Sequence, residues 1–325
     1  MSDSFGFHTT AEEASAALSV HIEGKIVLIT GCTWGGLGAE TARVIAKNGA
    51  KRIILAGRSK NSLNETIEKI KEETSSANLV SLIMNLADLK SVRQAAAEVN
   101  AYDEPINVLI NNAAVMASPY FITDDGFEGQ IGTNHLGPFL FTNLILPRML
   151  TTKEPRIVNV SSSVHHFAPI FFTDPQFSNG ENYNEWLAYG QSKTANILFA
   201  KELSNRYNKE GLLSYSLHPG SVSTNLQRYI DREKNMSKPM LDYEGNNILT
   251  EYWVKKFAFR KTLGEGASTT IVAAFDPFIK SQSGLFLHNA QIDSDAVKSY
   301  ALDNANAKKL WVLSEELVGE KFDSV

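Results

Sequence analysis

The stretch IVLITGCTWGGLGAETARVIA, residues 26–46, decides how this chain folds. Its first five residues are apolar or β-branched, as in a buried strand, and its last eight have the composition of a helix. Glycines between a strand and a helix let the backbone approach a phosphate group at the positive end of the helix. The glycines could instead serve only tight packing, but their position between the first strand and a helix favours a dinucleotide-binding loop.

Similar β-branched runs recur along the chain, each separated from the next by sequence of helix length. The predicted strands are 26–30, 52–56, 79–83, 107–110, 156–160 and 213–217, with 284–287 as the last strand. This alternation predicts an α/β protein of the Rossmann type, a doubly wound parallel sheet covered on both faces.

The same rhythm divides the chain into three parts. Residues 1–24 are polar and alanine-rich and are predicted to form a surface extension, and residues 25–325 a single domain. Residues 221–262 interrupt the rhythm with a mixed polar and aromatic insertion after the sixth strand. That position places the insertion over the carboxyl edge of the sheet, where such folds bind ligands.

Composition excludes several classes of function. The 325 residues are 43% hydrophobic with a net charge of −5 and no basic cluster, which gives no reason to expect a nucleic-acid partner. The single cysteine, Cys32, excludes an intramolecular disulfide. Residues 1–20 lack the apolar core of a signal peptide, and no apolar run approaches the length of a membrane span. A cytoplasmic protein without a membrane span is therefore expected.

The segment 186–193, WLAYGQSK, sets Tyr189 and Lys193 four residues apart, on one face of a predicted helix. A nearby ammonium group favours the phenolate and lowers the pKa of a tyrosine. A shift of about 2 to 3 pKa units would require about 3 to 4 kcal/mol. By its spacing alone the pair could equally be an exposed i,i+4 contact.

Taken together, these motifs resemble those of the short-chain dehydrogenase/reductase family, from about Lys25 to at least Asp276. Within the family the chain looks closest to the branch of retinol dehydrogenases and WW-domain oxidoreductases, in a fungal form. The family loop is TGxxxGxG, whereas this chain has one extra residue. Gly31, Gly36 and Gly38 therefore match it only across an insertion.

The resemblance implies four catalytic residues: Asn134, Ser162, Tyr189 and Lys193. Tyr189 would exchange a proton with the substrate oxygen, and Ser162 would donate a hydrogen bond to it. Asn134 would hold a water linked to Lys193, although it could also be an ordinary helix residue. Ser162 is chosen among three adjacent serines because Val160 aligns with a strand end. Gly137-Pro138 should bend the helix of Asn134 and free backbone groups.

The resemblance also implies a set of dinucleotide-binding residues. They are Gly31, Thr33, Trp34, Gly36, Leu37, Gly38, Arg58, Asp88, Leu89, Asn112, Ala113, Ala114, Tyr189, Lys193, Pro219, Gly220, Val222 and Thr224. Within this set, Asp88-Leu89 would contact the adenine, but Asp88 could equally cap the following helix. Arg58 stands where NAD-preferring members end the second strand with an acid, and it can pair with a 2′-phosphate. NADP(H) is therefore predicted over NAD(H), unless Arg58 is a solvated loop charge like Lys60.

The substrate is expected to be a hydrophobic or aromatic ketone, aldehyde or alcohol, because the residues around the predicted site are apolar. The predicted contacts are Ser162, Val164, Trp186, Tyr189 and Leu226, and further candidates are Met116, Phe167, Tyr183, Tyr229, Met240 and Tyr243. Packing in the core is the alternative for each. His165 and His166 have no partners at ligand spacing, so no metal is predicted.

The exact function and the oligomeric state stay open at this level. The enzyme could be an NAD-dependent alcohol dehydrogenase of the same family, and a sugar-nucleotide epimerase or dehydratase would use similar Tyr and Lys residues. A non-catalytic dinucleotide-binding sensor or scaffold is the third alternative, although all four catalytic residues are present. A homodimer could form through the apolar residues 197–199, which could instead cover the sheet.

Overall fold

The computed structural model describes residues 5–230, 241–247 and 260–322. Its main sheet has eight strands in the order β10-β9-β6-β5-β4-β1-β2-β3. The strands are β1 (Ile26–Thr30), β2 (Arg52–Gly57), β3 (Leu79–Ile83), β4 (Val108–Asn111), β5 (Arg156–Val160), β6 (Leu213–His218), β9 (Phe286–His288) and β10 (Gln291–Ile292). β7 (Ser221–Val222) and β8 (Arg260–Lys261) form a separate parallel pair.

Helices cover both faces of this sheet. They are α1 (Ala11–Ala17), α2 (Ser19–Ile22), α3 (Leu37–Lys47), α4 (Lys60–Glu73), α5 (Leu89–Asn100), α6 (Gly129–Ile131), α7 (Gly137–Met149), α8 (Glu185–Tyr207), α9 (Leu263–Phe275), α10 (Ser299–Leu302) and α11 (Asn304–Val318). Residues of α1, α3, α4 and α9 share one apolar core, and residues of α5, α7, α8 and α11 share the other. Over the described residues, none of the helices has the length and hydropathy needed to cross a membrane.

The parallel sheet predicted from the sequence is confirmed. β1 pairs in parallel with β2 and β4, and β5 with β4 and β6, so that all residues of β1 and β5 are buried. Runs of β-branched residues predict such strands because both faces are covered and no polar alternation interrupts them. The antiparallel edge strand β10 and the small β7–β8 sheet were not predicted, because two-residue strands leave no periodic pattern.

The described part of the predicted surface extension belongs to the body of the protein. Thr10 and Glu13 form a capping box that begins α1. Ala11 and Ala14 are fully buried, and Phe5 and Ile22 join the same apolar core as α9. The alanines of this segment, which suggested a surface extension, permit this close packing because small side chains let two helices approach.

The apolar stretch 197–199 of α8 is buried within the chain, which corrects its use as a dimer surface. Leu198 packs with Leu310 of α11, and Phe199 packs with Trp311 of the same helix. Ile197 lies in a third cluster with Phe286 of β9. The alternative interpretation, that these residues are part of the layer that covers the sheet, therefore describes the structure. The C-terminal helices pack on the other side of this layer.

Candidate active site

A cavity of about 580 Å³ opens at the carboxyl ends of the strands of the main sheet. Its wall includes many of the predicted site residues: Gly31, Thr33, Trp34, Gly36, Leu37, Arg58, Asn112, Ala113, Ala114, Thr224 and Leu226. Other predicted residues are not part of this wall: Gly38, Asp88, Leu89, Ser162, Val164, Trp186, Tyr189, Lys193, Pro219, Gly220 and Val222. The predicted residues thus fall into two groups, one that lines the groove and one that does not.

The glycine loop keeps its two essential glycines in spite of the extra residue. Gly31 has a φ of +76°, and a Cβ there would lie 2.8 Å from the Cα of Ala113. A Cβ on Gly38 would lie 2.7 Å from the carbonyl oxygen of Gly31. Between them, the Gly36 amide donates to the Thr33 carbonyl at 3.0 Å, and a Cβ on Gly35 would meet open space. The extra residue is thus absorbed in an outward turn.

The beginning of α3 fits a diphosphate group. Its N-cap, Gly36, has no side chain to accept hydrogen bonds from the first turn, and Leu37 begins the helix at the cavity wall. Amides of a first turn without a side-chain cap, at the positive end of the helix, are suited to an anion. With the space that Gly31 and Gly38 leave open, the residues present fit a dinucleotide.

The turn after β4 forms the floor beneath this loop. Thr30 Oγ1 accepts hydrogen bonds from the amides of Asn112 and Ala113, both at 3.0 Å. The Asn112 side chain donates to the Thr30 carbonyl at 2.8 Å. Asn112, Ala113 and Ala114 therefore reach the cavity as a turn fixed to β1, as the sequence predicted for their position.

Asp88 and Leu89 are not among the residues that line the cavity, and their role with the adenine stays a prediction beside the alternative that Asp88 caps a helix. The Asp88 side chain accepts from the amides of Lys90 and Ser91 at 2.9 and 3.2 Å, so it caps α5. Leu89 is 8% exposed and belongs to an apolar core. The cavity wall is formed three residues earlier, by the segment 84–87. A polar residue after a strand fits both uses, and the sequence does not separate them.

Arg58 lies at the end of the cavity opposite to Thr224, with Ser59, Ser62 and the segment 84–87. We call this the Arg58 end. The Arg58 side chain is exposed, and no hydrogen bond or ion pair within the described residues occupies its guanidinium group. An arginine in this state can pair with a phosphate group without first losing another partner.

The turn after β6 contributes Thr224 alone among its four predicted residues to the cavity wall. Gly220 has a φ of +91°, and a Cβ there would lie 2.7 Å from the side chain of Lys261. Val222 pairs with Lys261 in the small sheet. Pro219, Gly220 and Val222 therefore shape the backbone behind the wall, whereas Thr224 caps the short helix Asn225–Tyr229 above the cavity.

Asn134 lies in a π-helix, Gly132–Leu136, that continues into α7. Such a widened turn is common at functional sites, and Pro138 just beyond it has no amide to donate. The Asn134 side chain accepts from the Val115 amide and donates to the Val115 carbonyl, both at 2.8 Å, and donates to Ser192 at 2.9 Å. Both N–H groups of its amide are used, and Oδ1 accepts one of the two hydrogen bonds that an amide oxygen can take.

Ser162 is the serine that acts on Tyr189, and its hydroxyl works to lower the pKa of the phenol. Ser161 points the other way, donating to the Lys193 carbonyl at 2.7 Å. Ser163 begins the 3-10 helix Ser163–Phe167 and is 6% exposed. The register chosen from Val160 therefore places the predicted serine at the tyrosine.

Tyr189 and Lys193 lie on α8, which begins after the cap Asn184. They are 2% and 1% exposed. The Lys193 Nζ is 5.5 Å from the centre of the Tyr189 ring and donates to the Val160 carbonyl at 3.0 Å. The predicted i,i+4 geometry is present, and it is buried rather than exposed.

Burial reverses the predicted direction of the tyrosine shift. Loss of water raises the pKa of Tyr189 above its ordinary value, with only the hydrogen bond from Ser162 opposing it. Burial also lowers the pKa of Lys193 to about 7. The sequence argument counted the attraction between phenolate and ammonium but not the cost of removing both from water.

An apolar cluster surrounds the buried face of Tyr189. Its members are Met116, Ala117, Val164, Phe167 and Tyr189, with Trp186, Leu187, Leu226 and Ile230 packed against them. Every predicted substrate contact lies in this cluster except Ser162, whose hydroxyl acts on the pKa of Tyr189. We call this cluster, with Ser162, the Tyr189 end. Leu226 belongs to both the cluster and the cavity wall, so it joins the two.

Four further candidates lie outside that cluster or outside the described residues. The Tyr183 hydroxyl donates to the Ser118 carbonyl at 2.8 Å, a structural contact. Tyr229 and Tyr243 are 45% and 40% exposed. Met240 lies outside the described residues. Within the described ranges, no group of three or more His, Cys, Asp or Glu side chains is arranged to hold a metal ion.

Sequence reasoning missed several residues of the cavity wall. Asn85, Asn225 and Arg228 line it, none of them assigned from the sequence. The signal for Asn85 was its position two residues after the third strand, nearer the strand end than Asp88. Asn225 and Arg228 lie in the short helix that follows Thr224, but a short 3-10 helix has no periodic pattern by which the sequence could predict it.

The fold and the cavity define a doubly wound α/β protein with a nucleotide site. Residues 25–174 match the model of the short chain dehydrogenase family. The mouse protein named Retinol dehydrogenase 11 is 38% identical over 307 residues, which are 94% of this chain and 90% of the relative. The chain therefore belongs to the short-chain dehydrogenase/reductase family. It is an oxidoreductase of the class that interconverts CH–OH and C=O groups with NAD(P).

Solved structures agree with this assignment. An uncharacterized protein from Mycobacterium paratuberculosis is 33% identical with a TM-score of 0.68, covering 93% of this chain and 96% of that chain. The NADPH-bound carbonyl reductase from chicken fatty liver is 22% identical with a TM-score of 0.58, covering 84% and 99%. The second likeness is one of fold. The predicted family is confirmed, as is its retinol dehydrogenase branch, and the fungal form stays a prediction.

Proposed function

We propose that this protein is an NADP(H)-dependent oxidoreductase that interconverts a hydrophobic or aromatic ketone or aldehyde with its alcohol, with Tyr189 as general acid and base. One observation carries the proposal. The Tyr189 phenol is influenced by the Ser162 hydroxyl, stands on the same helix face as Lys193, and is enclosed by apolar side chains next to a groove that fits a dinucleotide.

The dinucleotide supplies or accepts the hydride when it is bound. In the reducing direction, the Tyr189 hydroxyl donates its proton to the carbonyl oxygen of the substrate, and Ser162 donates a hydrogen bond to the same oxygen. The raised pKa of Tyr189 keeps the phenol protonated at neutral pH, as a proton donor requires. In the oxidising direction the same groups act in reverse.

Lys193 would take up or release a proton as the charge of the buried site changes. Its lowered pKa, about 7, allows the amine to gain or lose a proton near neutral pH at small cost. The Val160 carbonyl fixes its position, and that carbonyl also accepts from Asn196 at 3.1 Å. A lysine close to neutrality, four residues from the phenol, can exchange charge with it as the reaction proceeds.

The preference for NADP(H) rests on the Arg58 end. An exposed guanidinium group at the wall can pair with a 2′-phosphate, and none of the described residues that line this cavity carries a carboxylate to repel one. Ser59 and Ser62 add hydroxyl groups beside it. The lining favours the phosphorylated cofactor on charge alone.

The preference for an apolar substrate rests on the Tyr189 end. Met116, Val164, Phe167, Trp186 and Leu226 contribute no charged group, so a polar substrate would lose hydration without gaining partners. The mouse relative is named for retinol, an apolar alcohol. We therefore propose alcohols and carbonyl compounds of that character, with aromatic ketones and aldehydes as the second group.

The test is oxidation of NADPH and NADH with a panel of aromatic aldehydes, ketones and retinal, and the reverse reaction with the matching alcohols. The proposal expects turnover with apolar compounds, little with charged ones, and a higher kcat/KM with NADPH. Cofactor fluorescence separates the alternatives. NADPH binding without turnover on the whole panel would favour the sensor, and a higher kcat/KM with NADH would favour the NAD-dependent dehydrogenase.

A further inference from the structure

The turn that carries Ser162 is held from three sides. Within the turn, His165 Nδ1 lies 2.7 Å from the carbonyl oxygen of Ser162. From α8, Thr194 Oγ1 donates to the carbonyls of His165 and Ala168 at 3.2 and 2.7 Å. From the C-terminal part of the chain, the Tyr300 hydroxyl donates to the His165 carbonyl at 2.7 Å.

The two ring nitrogens of His165 have opposite roles. Because a carbonyl oxygen only accepts, Nδ1 carries the proton and donates to Ser162. Nε2 then accepts from the Lys298 amide at 3.4 Å. The side chain is fully buried. His165 therefore connects the backbone of the serine directly to the segment that leads into α10.

Tyr300 extends this connection to the substrate side. Its ring contacts the ring of Tyr243, with centres 5.8 Å apart and nearly perpendicular planes. The Tyr243 amide donates to the Phe167 carbonyl at 3.0 Å, at the end of the serine turn. Phe167 itself belongs to the apolar cluster at the Tyr189 end.

We propose that the segment 298–300 is a brace that positions Ser162, with His165 and Tyr300 as its positioning residues. Neither touches the reacting atoms. They fix the carbonyl oxygen of the serine and the turn behind it, and so set the distance between the Ser162 hydroxyl and Tyr189. A displacement of about 1 Å in such a group can reduce a rate a hundredfold. This inference rests on the proposed role of Ser162 in catalysis.

The experiment compares Tyr300→Phe with Tyr215→Phe. The Tyr215 hydroxyl also donates to a backbone carbonyl, that of Ile279 at 2.8 Å, but far from the serine. Each substitution keeps the ring and removes one hydroxyl–carbonyl bond, so both should lower the melting temperature. We expect Tyr300→Phe alone to lower kcat, by about tenfold, with the Kd of NADPH unchanged. Equal kcat values for the two variants would overturn the proposal.

Hydrogen exchange gives a second reading that needs no substrate. Peptides covering residues 161–167 should exchange faster in Tyr300→Phe than in Tyr215→Phe, and unchanged protection there would refute the brace. A wild-type protein that turned over no compound would instead refute the proposed function, while the exchange comparison would still decide the brace.

Substitution at His165 provides the rescue test. His165→Leu removes the donor to the Ser162 carbonyl, whereas His165→Asn places an amide nitrogen near the position of Nδ1. We expect kcat to fall in the leucine variant and to be largely restored in the asparagine variant. An equal loss in both would show that the imidazole acts only by filling space.

Discussion

The two ends of the site are built in different ways. In and beside the Tyr189 end, Asn134, Tyr189 and Lys193 are at most 2% exposed, and hydrogen bonds to Val115 and Val160 hold the side chains of Asn134 and Lys193. At the Arg58 end, Arg58 and Ser59 are exposed. Reactivity is therefore built into the core, whereas cofactor selectivity depends on a few side chains at the surface. Substitutions at the two ends should differ in both size and kind.

The largest effect is expected at Lys193. The unfolded chain binds a proton on this lysine up to its ordinary pKa of 10.5, whereas the folded chain releases it above about 7. Between these values the unfolded state binds more protons, so the free energy of unfolding rises with pH. Below pH 7 the full penalty of burying the charge is present.

Lys193→Met removes that penalty and should stabilise the cofactor-free protein while abolishing turnover. The expected gain is on the order of 4 kcal/mol at pH 7, fading to nothing near pH 10.5. Asn196 would still donate to the Val160 carbonyl. Urea denaturation at pH 7 and pH 10 measures the gain, with the exposed Lys90→Met as control. A gain that is independent of pH would mean that the buried charge is not its source.

The glycine loop links the two ends, and Gly31→Ala tests its close approach to Ala113. Gly126→Ala is the matched control, because Gly126 also has a positive φ, +85°, but a Cβ there meets nothing within 4 Å. Gly126→Ala should cost about 1 kcal/mol from strain. Gly31→Ala should cost roughly 2 kcal/mol more from the clash and should weaken NADPH binding. Equal losses of stability would show that the contact is not tight.

Arg58→Ala tests selectivity at the surface. The Kd of NADPH should rise by about tenfold or more, which is about 1.4 kcal/mol, because a charge-assisted contact is lost. The Kd of NADH should stay the same, since it lacks the 2′-phosphate. Fluorescence titration with both cofactors measures this, and Lys60→Ala serves as control. Parallel changes for NADPH and NADH would contradict the assignment.

The smallest effects should separate Asp88 from Asn85. Asp88→Ala removes a helix cap and should cost about 1 kcal/mol of stability, with no change in NADPH binding. Asn85→Ala should weaken NADPH binding a fewfold, because Asn85 lines the cavity. Chemical denaturation and fluorescence titration of both variants decide which of the two residues contacts the cofactor. Weaker binding in Asp88→Ala alone would restore the role predicted from the sequence.

The sequence predicted the elements of this molecule better than their environments. β1 and β5 could be predicted from the sequence because strands buried on both faces carry unbroken β-branched runs. Tyr189 and Lys193 were legible because helical spacing places them together.

The direction of the pKa shift of Tyr189 could not be predicted from the sequence, because burial depends on packing from distant parts of the chain. For the same reason, the sequence could not decide whether residues 197–199 are buried, since the cover over Leu198 and Phe199 comes from α11, more than 100 positions further on. The sequence could not decide between the two roles of Asp88, because capping a helix and binding a nucleotide both call for a polar side chain just after a strand. Local pattern specifies an element, and its surroundings come from the whole fold.

The central claim is that Tyr189 exchanges the proton that accompanies hydride transfer. The most direct measurement is NADPH oxidation by Tyr189→Phe with the best substrate of the panel, beside a titration of NADPH binding to the same variant. We predict that turnover is abolished while the Kd of NADPH stays close to that of the wild type, because the ring and its packing remain. A variant that binds NADPH normally and keeps most of its rate would contradict the account.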